Sequence, residues 1–236
     1  MAAPSAASPS IDKRTSEWEK VGMLDSFRER ADEQVKRITV ALILSAISIF
    51  VTYTAARGLL AAFDQDDFPE SLAVKVELLP LLFPLHMVTG ALALILLPVA
   101  ILLRRQPRWH RPVGRVAALD VLIAGLTAYP VAWVAPVTFW SAAGFSAQAT
   151  TWLTLLALGL RNIRRRRIEA HWICMLLMAA TTSGAVFFRV FLALWAMFGS
   201  ARRFETFYAC DAWVAWLLPL SGTALLLWSR KSREAI

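Results

Sequence analysis

Six stretches of this chain are each long and apolar enough to need a bilayer: roughly residues 38–60, 78–103, 114–138, 141–160, 170–198 and 208–229. Hydrocarbon offers no partner to a bare N–H or C=O, so each stretch satisfies its own backbone as a helix of about 20 residues. The fold class is therefore all-α, a polytopic membrane bundle of about six transmembrane helices. Composition agrees, with 58% hydrophobic and 18% charged residues. A soluble domain averages about 45–50% and about 25%. Disorder, collagen and a disulfide scaffold are excluded, and an ordinary soluble enzyme is disfavoured. The third stretch carries Pro130 and Pro136. A kink or early end is expected there, which leaves the boundary between 130 and 145 open.

The flanks divide the chain further. Residues 1–15 are small, polar and Pro-containing, and read as a disordered tail. Residues 16–37 are charge-dense, with Trp18, Val21, Leu24 and Phe27 at near-helical spacing. They read as an amphipathic helix, either on the membrane surface or solvated. The acidic leader and the late first apolar run do not fit a secretory signal. The transmembrane domain covers 38–229, and 230–236 is a short tail.

A net charge of +8 would suit nucleic acid, but its distribution does not. Twenty of the 25 Lys and Arg residues precede the first span, follow the sixth, or lie between spans two and three or four and five. All those places are on one side. The positive-inside rule then predicts a bacterial inner-membrane protein with both termini cytoplasmic. The run Arg164 to Arg167 reads as an orientation signal and a contact for anionic lipid, so the expected partner is the lipid bilayer and no nucleic acid. The acidic stretch at Asp64, Asp66 and Asp67 would lie outside as a solvated loop.

Trp109, Trp140, Trp172 and Trp228 fall near span ends and suit interfacial anchoring. Ala143 with Ala147, and Ala180 with Gly184, are small residues four apart that suit close helix packing. Cys174 and Cys210 fall near opposite faces, too far apart for a disulfide, and read as buried thiols.

Ionisable groups inside a bilayer are costly, so they face the bundle interior. This chain has few: His86, Asp120, His171, Arg189 and Asp211, with His110 at the edge. His171 and Arg189 are 18 residues apart, five full helical turns, and share a stripe with Met175, Met178, Thr182 and Ala185. Rise per residue places His86, Arg189 and Asp211 in one outer layer and His110 and His171 in an inner one. Asp120 lies two to three turns above His110. The expected buried polar cluster is thus His86, Arg189, Asp211 and Asp120. An Arg189–Asp211 ion pair and an Asp120 hydrogen bond to a neighbouring helix are the structural readings of its members. No zinc spacing, HExxH, Walker A, GxGxxG or GxSxG is present.

The series His86-x-x-x-Gly90, Arg104-Arg105, His110-Arg111-x-x-Gly114-Arg115, His171 with Met175, then Arg189 resembles a widespread bacterial family of multi-pass membrane proteins of unknown function. The similarity covers about 80–200. It implies a membrane helical bundle and no established reaction. Cys174 and Leu177 stand where that family's pattern has Trp and Arg, which marks a divergent member. More loosely, the chain is similar to transmembrane ascorbate-dependent cytochromes b, whose spans also begin with His and end with Arg. Three histidines cannot hold two bis-histidine haems. One haem b remains as a cofactor, with His110 and His171 as its candidate ligands.

Three functions fit. The first is a non-catalytic subunit or assembly protein of a membrane complex, with other membrane subunits as partners. The second is a haem-binding electron-transfer protein using His110 and His171. The third is a small-anion or proton-coupled carrier using His86 and Arg189, although no inverted repeat is legible.

Overall fold

In the computed structural model, residues 49, 50, 52, 53, 56 and 70–234 are described. The chain divides after Phe50 into two units, and the helices below belong to the second. The tail 1–15, the segment 16–37, most of the first expected span and the acidic stretch lie outside the described residues. Of that span, Ile49, Phe50, Thr52, Tyr53 and Ala56 are helical.

From residue 70 onward the order is α1 (Glu70–Leu78), α2 (Leu82–Leu102), α3 (Pro107–Trp133), α4 (Phe139–Arg164), α5 (Ile168–Phe198) and α6 (Phe204–Glu234). Short 3-10 turns, Leu103–Arg105 and Ala201–Arg203, precede α3 and α6. No strand occurs among the described residues. The five long helices match the last five expected spans in position. Four are long and apolar enough to cross a membrane: α2, α3, α5 and α6, the first and last extended by their 3-10 turns. The exception is α4, whose apolar run is broken by Ser141, Ser146, Gln148, Thr150, Thr151 and Thr154.

Each boundary has a local cause. Pro107 opens α3 at its first position, where a missing N–H costs nothing. The helix therefore starts seven residues earlier than expected and takes in the whole His110–Arg115 element. It ends at Trp133, before Ala135 at φ 42° and Pro136. Thr138 then caps α4 reciprocally: its hydroxyl accepts from the Ser141 N–H, and the Ser141 hydroxyl accepts from the Thr138 N–H. At the other end of α4, the Arg167 N–H donates to Asn162 O and the Arg166 N–H to Ile163 O. This is a Schellman closure with Arg166, φ 59°, in the left-handed position.

Connections this short make successive long helices antiparallel. Helices α2, α3, α4 and α5 close a ring, each touching the next and α5 touching α2. Helix α6 lies in the groove between α4 and α5. The ring's centre is a core of Ala93, Leu97, Ala117, Val121, Ala124, Trp152, Leu156 and Met178. Large apolar side chains such as Leu92, Ile95, Leu119, Leu126, Leu218 and Leu225 are exposed on the outside. An outer surface of large apolar side chains around a core that includes several alanines suits a bilayer as solvent.

Glycines set the closest approaches. A Cβ on Gly125 would meet Leu153, one on Gly144 the Ala212 carbonyl and Trp213, one on Gly159 Met175, and one on Gly184 the Trp216 backbone. Of the small residues expected to do this, Gly184 does; Ala143 and Ala147 are only half-buried. Trp109, Trp140 and Trp228 are exposed near helix ends, whereas Trp172 sits under the Arg104 guanidinium at 4.4 Å. Both cysteines are free, and Cys210 is exposed rather than buried because it points away from the α4–α6 and α5–α6 seams.

Candidate functional site

The arginines of 104–115, 161–167 and 230 gather at one end of the bundle, with His110 and His171, and Lys75, His86, Arg189 and Asp211 lie toward the other. Two hydrogen bonds fix the register of α2 on α3. His86 Nδ1 donates to Ala124 O at 3.0 Å, and His110 Nδ1 donates to Ala100 O at 2.9 Å. A carbonyl can only accept, so both rings carry the proton on Nδ1, which leaves Nε2 as the acceptor of the neutral ring. Thr127 Oγ1 lies 3.3 Å from His86 Nδ1.

The Arg104–Trp172 contact ties α2 to α5 at the basic end. Counting 18 residues back along α2 and 17 forward along α5 from that contact brings His86 level with Arg189. On the next seam, Gly184 meets Trp216. Five residues on from the one and five back from the other stand Arg189 and Asp211, again level. Met178 and Met175 of the α5 stripe join the core, while Thr182, Ala185 and Arg189 turn to a cavity above it.

That cavity, about 270 Å³, is walled by α2 to α6. Its upper part carries Lys75, His86, Arg189 and Tyr208, and its floor is Trp152. Arg189 Nη1 donates to Ala185 O at 2.8 Å, which folds the guanidinium along its own helix. Lys75 arrives from α1 and donates to Val131 O at 2.8 Å and Val134 O at 2.6 Å. Those are terminal carbonyls of α3, where the helix dipole favours a cation. Burial holds the Lys75 ammonium below its usual pKa. Deeper polar groups are already occupied: Trp152 Nε1 donates to Thr182 Oγ1 at 2.7 Å, Thr182 Oγ1 to Met178 O at 2.7 Å, and Gln148 Nε2 to Thr181 O at 3.1 Å.

The structure thus places His86 and Arg189 on one cavity. Asp211 is level with them but does not line it. The expected Arg189–Asp211 pair is not formed: Asp211 is 3% exposed, and neither carboxylate oxygen has a hydrogen-bond partner. Rings fill the α5–α6 seam at this height, with Phe188 edge-on to Tyr208 at 5.3 Å and Phe145 beside both. Arg189, one residue past Phe188, is turned about 100° from it and lines the cavity, as Phe145, Phe188 and Tyr208 also do. Asp120 sits midway along α3, buried, and its Oδ2 has no partner either, so the expected bond to a neighbouring helix is not made through that oxygen.

His110 and His171 lie at the basic end, away from the cavity. His171 Nδ1 donates to Gly159 O of α4 at 2.9 Å, whereas His110 is turned onto α2. The two rings are directed to different neighbours. No cluster of three or more His, Cys, Asp or Glu able to hold a metal ion occurs among the described residues.

Sequence reasoning missed Lys75, Gln148 and Tyr208. Lys75 carried a signal, as the one lysine close before a span on the arginine-poor side.

No curated protein and no solved structure matches the chain. A family described as a predicted membrane protein, DUF2306, matches residues 83–227. The match lends nothing to the likeness with cytochromes b. It runs through all five long helices and covers more than half of the sequence, and on that ground the chain belongs to the DUF2306 family of membrane proteins.

Proposed function

We propose that this protein is a membrane carrier or receptor for a small anion, with Arg189 supplying the fixed charge and His86 a hydrogen-bonding group beside it. The observation that carries this reading is the convergence of Arg189, His86 and Lys75, from three helices, on one cavity that no Asp or Glu among the described residues lines. Concave, largely apolar sites with a few convergent polar groups are where small ligands bind. The basic end faces the cytoplasm in this reading, so the cavity opens its cationic part toward the outer half of the bilayer. In proteoliposomes, labelled small anions are taken up or retained, and Arg189→Gln abolishes this while the protein still folds. Equal uptake by wild type and Arg189→Gln contradicts the reading.

A second reading, a non-catalytic subunit or assembly protein, is favoured by the use of polar side chains as ties. His86, His110, His171 and Gln148 each bind a backbone carbonyl of a neighbouring helix, and Trp152 a neighbour's hydroxyl. Such ties lock packing at roughly 0.6–2 kcal/mol each. Stoichiometric co-purification with one membrane complex supports this reading.

A further inference from the structure

The anion cavity is chemically two-sided, and its two sides describe its ligand. Arg189 lines it level with His86, and Lys75 lines it higher, at Val131 O and Val134 O. Below them the walls are Met87, Ala91, Leu94 and Ala149, closed by Trp152. Of the polar groups at that depth, Trp152 and Thr182 spend their donors on one another and on a backbone carbonyl, and Gln148 gives one of its two N–H groups to Thr181 O. At 1.5 Å per residue, His86 to Leu94 and Arg189 to Thr182 span about 10–12 Å. The cavity volume, about 270 Å³, is far more than the ~10–15 Å³ a single water requires. An inorganic ion held at Arg189 would leave the apolar length unfilled.

We infer that the ligand is an organic monoacid, its carboxylate held by Arg189 and its apolar body lying along Ala91 and Leu94 toward Trp152. This rests on the anion reading above and narrows it. The guanidinium supplies charge-assisted donors to the carboxylate oxygens. His86 Nε2 accepts from a hydroxyl where the acid carries one. The body displaces water from an apolar wall, so affinity grows with hydrocarbon length until the floor is reached. Burying one methylene tightens binding about fourfold.

The test is isothermal titration of the full chain in nanodiscs, with empty nanodiscs subtracted. The probes are chloride, phosphate and the straight-chain acids from acetate to dodecanoate. The expected result is weak binding of the inorganic ions and a rise of about fourfold per methylene that stops once the acid fills the 10–12 Å length. Arg189→Gln weakens all acids by a similar factor and keeps the slope. Ala91→Leu spares the short acids and weakens the long ones. Melting temperatures near that of wild type show that the variants fold. A flat series, or inorganic ions binding as tightly as the longer acids, overturns the monoacid inference and leaves the anion reading standing. A rise that continues through dodecanoate assigns the tail to bilayer lipid and also overturns it. Absence of binding by every anion removes the anion reading and this inference together.

Discussion

Replacing Gly184 by alanine tests whether α5 and α6 touch as closely as the cavity's far wall requires. An ideal Cβ at Gly184 lies 2.6 Å from Trp216 Cβ, 2.8 Å from its Cα and 3.0 Å from Gln148 Nε2. Ordinary contact begins near 3.4 Å, so the helices must part by about 0.8 Å at this point. The obstacle is backbone and Cβ, and no rotamer change relieves it. Overpacking of this kind costs about 1–3 kcal/mol. Gly222 in α6 is the matched control, with nothing within 4 Å of its Cβ. Both changes gain the same helix propensity, up to about 1 kcal/mol, so the difference between them isolates the packing cost. Reversible unfolding in mixed micelles by SDS, followed by tryptophan fluorescence, measures that difference. Gly184→Ala should be less stable than Gly222→Ala by about 1–3 kcal/mol. Equal stability would mean that the two helices do not meet at Gly184, and the level placement of Arg189 and Asp211 would fall with it.

Raising the pH should weaken anion binding before an ordinary lysine would lose its proton, because burial lowers the Lys75 pKa from 10.5 and the neutral amine no longer attracts the anion. Lys75→Arg should extend binding to higher pH, and unchanged alkaline profiles would refute a role for Lys75. His171→Ala removes the bond to Gly159 O and should cost about 0.6–1.5 kcal/mol of stability without altering the visible spectrum. A Soret band in wild type that this change abolishes would make the ring a haem ligand instead. Arg166→Gly should stabilise the fold by about 1 kcal/mol in the same SDS assay, since a side chain at φ 59° carries a penalty that glycine does not.

Much of this architecture was legible in the apolar runs, because helices that satisfy their own backbone are the local solution in hydrocarbon. Rise per residue alone sets His86 and Arg189 at one height, and both line one cavity. What the one-dimensional pattern could not show was direction around each axis. Arg189 and Asp211 share a level, yet Phe188, Tyr208 and Phe145 fill the seam between their helices, and the expected pair is not made. Lys75 reaches carbonyls 56 and 59 residues away, a contact no local spacing announces. The small-residue pattern identified Gly184 but gave Ala143 and Ala147 equal weight, although the closest approach on α4 is at Gly144. Only packing tells such positions apart. By contrast, the Thr138–Ser141 cap and the Pro107 start are local rules, and attention to them would have moved the ends of α3 and α4 to their observed places.

The account depends above all on Arg189 facing a ligand rather than lipid or Asp211. Solid-state NMR dephasing between carboxyl-13C hexanoate and 15N-arginine protein in bilayers measures this directly. Dephasing at hydrogen-bond distance in wild type, lost in Arg189→Gln, is the predicted result. Its absence in wild type, or its survival in Arg189→Gln, would contradict the account.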